Sequence, residues 1–206
     1  MSMAGFLETS LYFLALINPA SKVLLLSSAE PPYSRKQLFS ISAKSTFIAL
    51  VILLLLACAG YFVLKKIFHV EIYSLQVAGG TILFLIGLTA VQKGHFYEQN
   101  IHGSEDISIV PLAAPLIAGP GTITAAISFS STAGIELTVL ALTVAVMANF
   151  VIMLSSLWLG KLLKKLHLIG PLIRITGLVV AAVAVQMVLT GLGQWIVPLL
   201  NMKGIK

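Results

Sequence analysis

The chain is 206 residues long, 58% hydrophobic and only 10% charged, with a mean hydropathy of +1.03. Soluble domains carry about 25% charged residues, so a water-soluble fold is excluded. The formal charge of +6 does not point to nucleic acid, because Lys and Arg flank long apolar runs instead of clustering with aromatics on one face.

A membrane-crossing helix needs about 20 mainly apolar residues, and charges bracket such runs along the chain. The first span covers 5–28, interrupted only by Glu8 and Lys22. Glu8 stands where a secretory signal would carry Lys or Arg. Between Lys44 and Lys65 lie 20 uncharged residues, and between Glu71 and Lys93 lie 21, which places spans near 38–64 and 72–92. A polar linker, 93–106, follows. The next uncharged runs hold 29 residues (Asp106 to Glu136), 24 (Glu136 to Lys161) and 28 (Arg174 to Lys203). They place spans near 107–131, 137–160 and 172–197.

Continuous rather than alternating apolar runs predict helices, not barrel strands. The expected fold is an all-α membrane protein, a single six-helix transmembrane domain over 1–206. The connections after spans 1, 3 and 5 carry eight Lys and Arg against four on the opposite side. That bias places those connections in the cytoplasm and both termini outside, in a multi-pass cell-membrane protein.

The halves correspond in order. Leu16, Pro19 and Ser21 match Ile117, Pro120 and Thr122 at an offset of 101. Lys65-Lys66 match Lys164-Lys165 at 99, and His69 and Gly79 match His167 and Gly177 at 98. Units of three spans, approximately 1–92 and 107–202, must sit upside down to one another. Such inverted repeats are a mark of secondary transporters.

The first span of each half contains a backbone breaker: Ile17-Asn18-Pro19-Ala20-Ser21, and Pro111 and Pro115 followed by Ala118-Gly119-Pro120-Gly121-Thr122. Proline removes a donor and clashes with the preceding turn, and glycine permits conformations closed to other residues. Proline is also favoured at the start of a new helix. The expected half-helices end near Ile17 and Ala118 and restart near Pro19 and Pro120. Each break frees N–H groups, which attract anions, and carbonyls, which attract cations. A free amino acid has both charges. Its carboxylate would sit on N–H groups near Ala20-Ser21 or Gly121-Thr122. Its ammonium would sit on carbonyls near Leu16-Ile17 or Ile117-Ala118, or on Asn18. The alternative is that both breaks are packing kinks; their matching positions favour a site.

Lys22 is either a functional intramembrane charge or a side chain that snorkels to the interface. Asn149 and Gln186 each need a partner in the bundle. Gly79, Gly80 and Thr81, with Gly177, allow close packing or leave space for substrate. Cys58 has no disulfide partner, and the four histidines lack metal-ligand spacing. No nucleotide, hydrolase or metalloprotease motif occurs, so neither enzyme activity nor a cofactor or metal is expected.

The stretches Leu16 to Lys22, Val77-Ala78-Gly79-Gly80, Pro111 to Thr122, Arg174-Ile175-Thr176-Gly177 and Ala184-Val185-Gln186-Met187 resemble those of the MarC family over essentially the whole chain. The Pro-Leu-x-x-Pro-x-x-x-Gly-Pro-Gly stretch is the most specific. Leu24 stands where members often carry a second proline, and Ser21 where glycine is common. The resemblance implies six helices in inverted repeats, a plan similar to the LysE exporters, and transport of small neutral amino acids such as glycine and alanine. The expected function is therefore secondary transport by alternating access, with Asn18, Pro19, Ala20, Ser21, Gly119, Pro120, Gly121 and Thr122 at the site. Lys22, Gly79, Gly80, Thr81, Asn149 and Gln186 form a second tier. The coupling ion, proton or sodium, is left open. A small-solute channel and a non-transporting membrane scaffold or stress-related protein are the alternatives.

Overall fold

The computed structural model describes residues 3–27, 33–96, 117–166 and 168–202, and these are helical without a strand. In chain order the helices are α1 (Met3–Ile17), α2 (Pro19–Ser27), α3 (Arg35–Phe62), α4 (Ile72–Lys93), α5 (Pro120–Thr132), α6 (Ile135–Leu154), α7 (Ser156–Lys165) and α8 (Ile169–Met202). Five stretches among the described residues are long and apolar enough to cross a bilayer: Met3–Ser27, Arg35–Ile67, Ile72–Lys93, Ile135–Leu154 and Ile169–Leu200. Of the expected fourth span, α5 and the three residues before it are described. Pro111, Pro115 and the first half-helix fall outside the described residues, as does most of the 93–106 linker.

Helix α3 begins with a reciprocal cap. Ser34 accepts from the Gln37 amide at 3.2 Å, and Gln37 accepts from the Ser34 amide at 2.9 Å. It continues into a π-helical turn, Val63–Ile67, around Lys65 and Lys66. Helix α4 stops at Gly94, whose left-handed φ of 73° closes the helix end.

The fifth span differs from expectation. Instead of one helix over 137–160, the chain breaks at Ser155. Its amide is shared between the carbonyls of Val151 and Ile152, and its hydroxyl donates back to Val151 at 3.1 Å. Such serine back-bonding bends helices. Helix α6 alone has 20 residues, about 30 Å of rise, enough for the hydrocarbon. Helix α7, with exposed Trp158 and Lys161, has the residues of an interfacial segment.

Lipid tails are as apolar as leucine, so these helices associate through close packing and hydrogen bonds rather than by escaping water. Phe13, Leu53, Ala126, Leu142 and Val146 form the centre, joining α1, α3, α5 and α6. Leu11, Phe47, Leu55, Val151 and Leu178 stand exposed on the outside, where lipid would meet them. Helices α4 and α8 lie together along their lengths. A Cβ on Gly87 would come within 2.8 Å of the Gly177 carbonyl and the Ala181 amide, and one on Gly80 within 2.8 Å of the Ala184 carbonyl. Arg174 donates to the Val91 carbonyl near the α4 terminus at 2.5 Å.

Two contacts recur between the halves. Gly60 of α3 lies against Ile127 of α5, where an added Cβ would be 2.6 Å from the isoleucine side chain. Gly160 of α7 lies against Ser27 of α2, where an added Cβ would run into the serine side chain. Gly60 and Gly160, and likewise Ser27 and Ile127, are 100 residues apart.

The α4–α8 seam predicts a contrast. Gly87→Leu meets backbone that cannot yield and should destabilise by about 1–3 kcal/mol, whereas Gly193→Ala, with open space around it, should leave the thermal midpoint in detergent unchanged or raised. Equal midpoints for Gly87→Leu and the parent chain would contradict this packing.

Candidate functional site

The first break is a single residue. Asn18 has a φ of 54°, a left-handed conformation that asparagine tolerates and β-branched residues do not. Its amide bonds to the Leu14 carbonyl at 3.0 Å, closing α1. Its carbonyl accepts from the Ser21 amide at 3.2 Å and the Ser21 hydroxyl at 2.8 Å, opening α2. Asn18 thus ends one helix and starts the next, with Pro19 as the first residue of α2, as the sequence predicts. Ser21 turns its hydroxyl inward onto the break.

The carbonyls at the end of α1 already have a donor. Lys22 is 1% exposed, and its Nζ donates to the carbonyl of Ile17 and, at 3.3 Å, to that of Asn18. Of the two readings of Lys22, this one excludes snorkelling: the side chain folds back onto the break rather than out to the interface. It also corrects the expectation that these carbonyls stand open to a substrate ammonium. The partial negative charge at a helix C-terminus is what makes this a place for a buried amine.

The second break is extended. Ile117, Ala118 and Gly119 are buried, and Gly119 (φ −76°, ψ 171°) caps α5 without a side-chain bond. Pro120 follows as first helical residue, and the first turn closes with the Ile123 amide on the Gly119 carbonyl at 2.9 Å. The N–H groups of Gly121 and Thr122 lie ahead of that bond, where helices leave donors without an internal partner. Gly121 packs closely on α4: a Cβ there would be 2.7 Å from the Leu83 side chain, which would have to shift.

The two breaks meet. One small cavity is lined by Leu16, Ile17, Asn18, Ser21 and Lys22 from the first and Gly119, Pro120, Gly121 and Thr122 from the second. Leu83 and Ile86 of α4, Phe96 and Val180 of α8 complete its wall. Its volume is about 20 Å³, room for a single water. The conformation is therefore closed around Lys22, and a solute the size of glycine enters only if the walls part.

Six of the eight first-rank residues line this cavity, but Pro19 and Ala20 do not. Of the second rank, only Lys22 does. Gly79 packs on Thr124 and Gly80 on α8. Thr81 is exposed, with its hydroxyl on the Val77 carbonyl at 2.8 Å. Asn149 is fully buried and donates to the Met153 sulfur at 3.2 Å. Gln186 lines a different cavity. The apolar wall of Leu83, Ile86, Phe96 and Val180 was absent from the sequence-based set, because aliphatic residues in apolar helices carry no distinguishing signal.

The model of the "MarC family integral membrane protein" matches residues 3–196. The chain is 37% identical over 191 residues to a UPF0056 membrane protein of Pyrococcus horikoshii, covering 91% of this chain and 93% of that one. It is 31% identical to a UPF0056 membrane protein of Methanocaldococcus jannaschii (86% and 91% covered) and 30% identical to UPF0056 membrane protein YvbG of Bacillus subtilis (86% and 89%). No solved structure matches the chain. The resemblance carried by the two helix breaks thus extends over nearly the whole sequence, and the chain belongs to the MarC family of integral membrane proteins.

Proposed function

We propose that this protein is a secondary transporter of small neutral amino acids, glycine- and alanine-like, working by alternating access around the cavity between the two breaks. The observation that carries the reading is the convergence of the Asn18 break and the Gly119-Pro120 start of α5, one from each half of the chain, on one small cavity. Irregular backbone at membrane depth is tolerated where it lines a cavity or lies within protein, and paired discontinuous helices are how many transporters build their sites. The reading includes six spans in two inverted three-span units with both termini extracytoplasmic. The exchanged contacts Gly60–Ile127 and Gly160–Ser27 support the repeat, because each half presents the same glycine position to the same half-helix position of the other.

Lys22 gives the substrate step its electrostatics. An entering carboxylate has two attractions, the N–H groups of Gly121 and Thr122 and the amine of Lys22. Pairing with the carboxylate draws Lys22 off the Ile17 and Asn18 carbonyls, which then receive the substrate ammonium. One cation replaces another, so no buried charge is left without a partner. The Leu83–Ile86–Phe96–Val180 wall must part to admit any solute, which favours a short side chain.

Labelled glycine should enter sealed proteoliposomes with saturation and counterflow, and the response to proton and sodium gradients will identify the coupling ion. Linear, non-saturating flux would establish a channel instead. Gly121→Leu, which displaces Leu83, should cut uptake at least tenfold, about 1.4 kcal/mol, while Gly193→Ala retains it. Lys22→Met should lower glycine affinity by a similar factor in the purified, folded protein. Unaltered affinity in that variant would remove Lys22 from the substrate step.

A further inference from the structure

A second, larger cavity of about 290 Å³ lies between α1, α4, α5 and α8. It is open at the surface, and carboxamides and hydroxyls dominate its polar lining: Gln76, Ser128 and Thr132 on one side, and Gln186, Thr190 and Gln194 on the other. The last three recur at every fourth residue of α8, a polar stripe in a stretch that is otherwise apolar from Leu178 to Leu200. Polar side chains at membrane depth turn toward protein or a water-filled space rather than lipid. No Asp, Glu, Lys, Arg or His lines the cavity among the described residues, so its chemistry suits solutes without net charge.

Gln76 is unfinished. It is 7% exposed and donates Nε2 to the Ser128 hydroxyl at 2.6 Å, yet its Oε1 is buried without a partner among the described residues. A buried carbonyl left unpaired is costly, and this one belongs to a side chain lining the cavity. An N–H or ammonium donor from a solute would complete it once the carboxamide turns toward the cavity.

The placement relates this cavity to the central one, because the same four helices line both. Going from central to second cavity leads from Leu16 to Tyr12, from Leu83 to Gln76, from Thr122 to Ser128 and from Val180 to Met187. Each step is one to two helical turns, about 6–11 Å. Between them α4 and α5 pinch together: a Cβ on Gly79 would run into the Thr124 hydroxyl, and one on Gly121 would be 2.7 Å from Leu83.

We propose that the Gln76–Gln186 cavity is a second binding site for small zwitterionic solutes, a waiting site separated from the central cavity by the Gly79–Thr124 and Gly121–Leu83 contacts. This rests on the transport reading. The solute's ammonium completes Gln76 Oε1, and the carboxamides and hydroxyls of α8 hold its carboxylate. Passage inward requires α4 and α5 to separate at the pinch.

Binding of labelled glycine to the purified protein should titrate two equivalents, and Gln186→Leu or Gln194→Leu, both at exposed positions, should reduce this to one. The same variants should raise the half-saturating glycine concentration for uptake at least fivefold and leave the rate at saturation within twofold. Gln76→Leu should act alike, and Gln76→Glu should restore binding of the second equivalent. If the parent chain binds and transports glycine but the α8 variants keep its stoichiometry and half-saturation, the waiting site is overturned while the central site stands. It is overturned equally if they alter only the oligomeric state, which would make the stripe a contact between copies. A parent chain that binds no glycine overturns both.

Discussion

The structure depends on how peptide groups are satisfied where a helix stops inside a bilayer. No water is at hand in the hydrocarbon core, so every carbonyl and amide freed by a break must meet protein, ion or solute. At the first break the solution is internal. Asn18 takes a left-handed turn, its carbonyl gathers Ser21, and Lys22 reaches back to the end of α1. At the second, Gly119 carries no capping side chain, and Gly121 and Thr122 of the first turn line the same small cavity. One break therefore holds a resident amine, and the other is a helix start without a capping side chain.

Such an arrangement needs a scaffold that brings main chains close. The α4–α8 seam provides it with glycine and alanine rather than large side chains, so that backbone atoms are the contact surface. Gly121 extends the same device to α5, seating the second break against Leu83. Packing residues and site residues are thus neighbours on one set of helices, and a change in helix spacing alters the cavity directly.

Much of this was legible in the sequence because the strongest signals are covalent. Charges bracket apolar runs, and proline and glycine limit backbone conformation wherever they stand, so the starts at Pro19 and Pro120 and the meeting of the breaks could be read residue by residue. What could not be read has physical reasons. Lys22 has a long flexible stem that reaches the interface or the break equally well. The bend at Ser155 uses no proline or glycine, only a hydroxyl competing for a backbone carbonyl. Pro19 and Ala20 belong to the break in sequence, yet the turn directs Asn18, Ser21 and Lys22 to the cavity instead. Gln76 carries no signal in the sequence, because its partner Ser128 stands 52 positions away.

The exchanged glycine contacts have a mechanical consequence. Helix α5 of the C-terminal half rests on Gly60 of the N-terminal half, and α2 of the N-terminal half rests on Gly160 of the C-terminal half. The halves are clasped reciprocally, each holding the other's short helix. They cannot swing apart as two independent bodies about a hinge without releasing both grips at once. Motion that preserves the grips is confined to sliding and tilting within the clasp, so the short helices would travel with the opposite half.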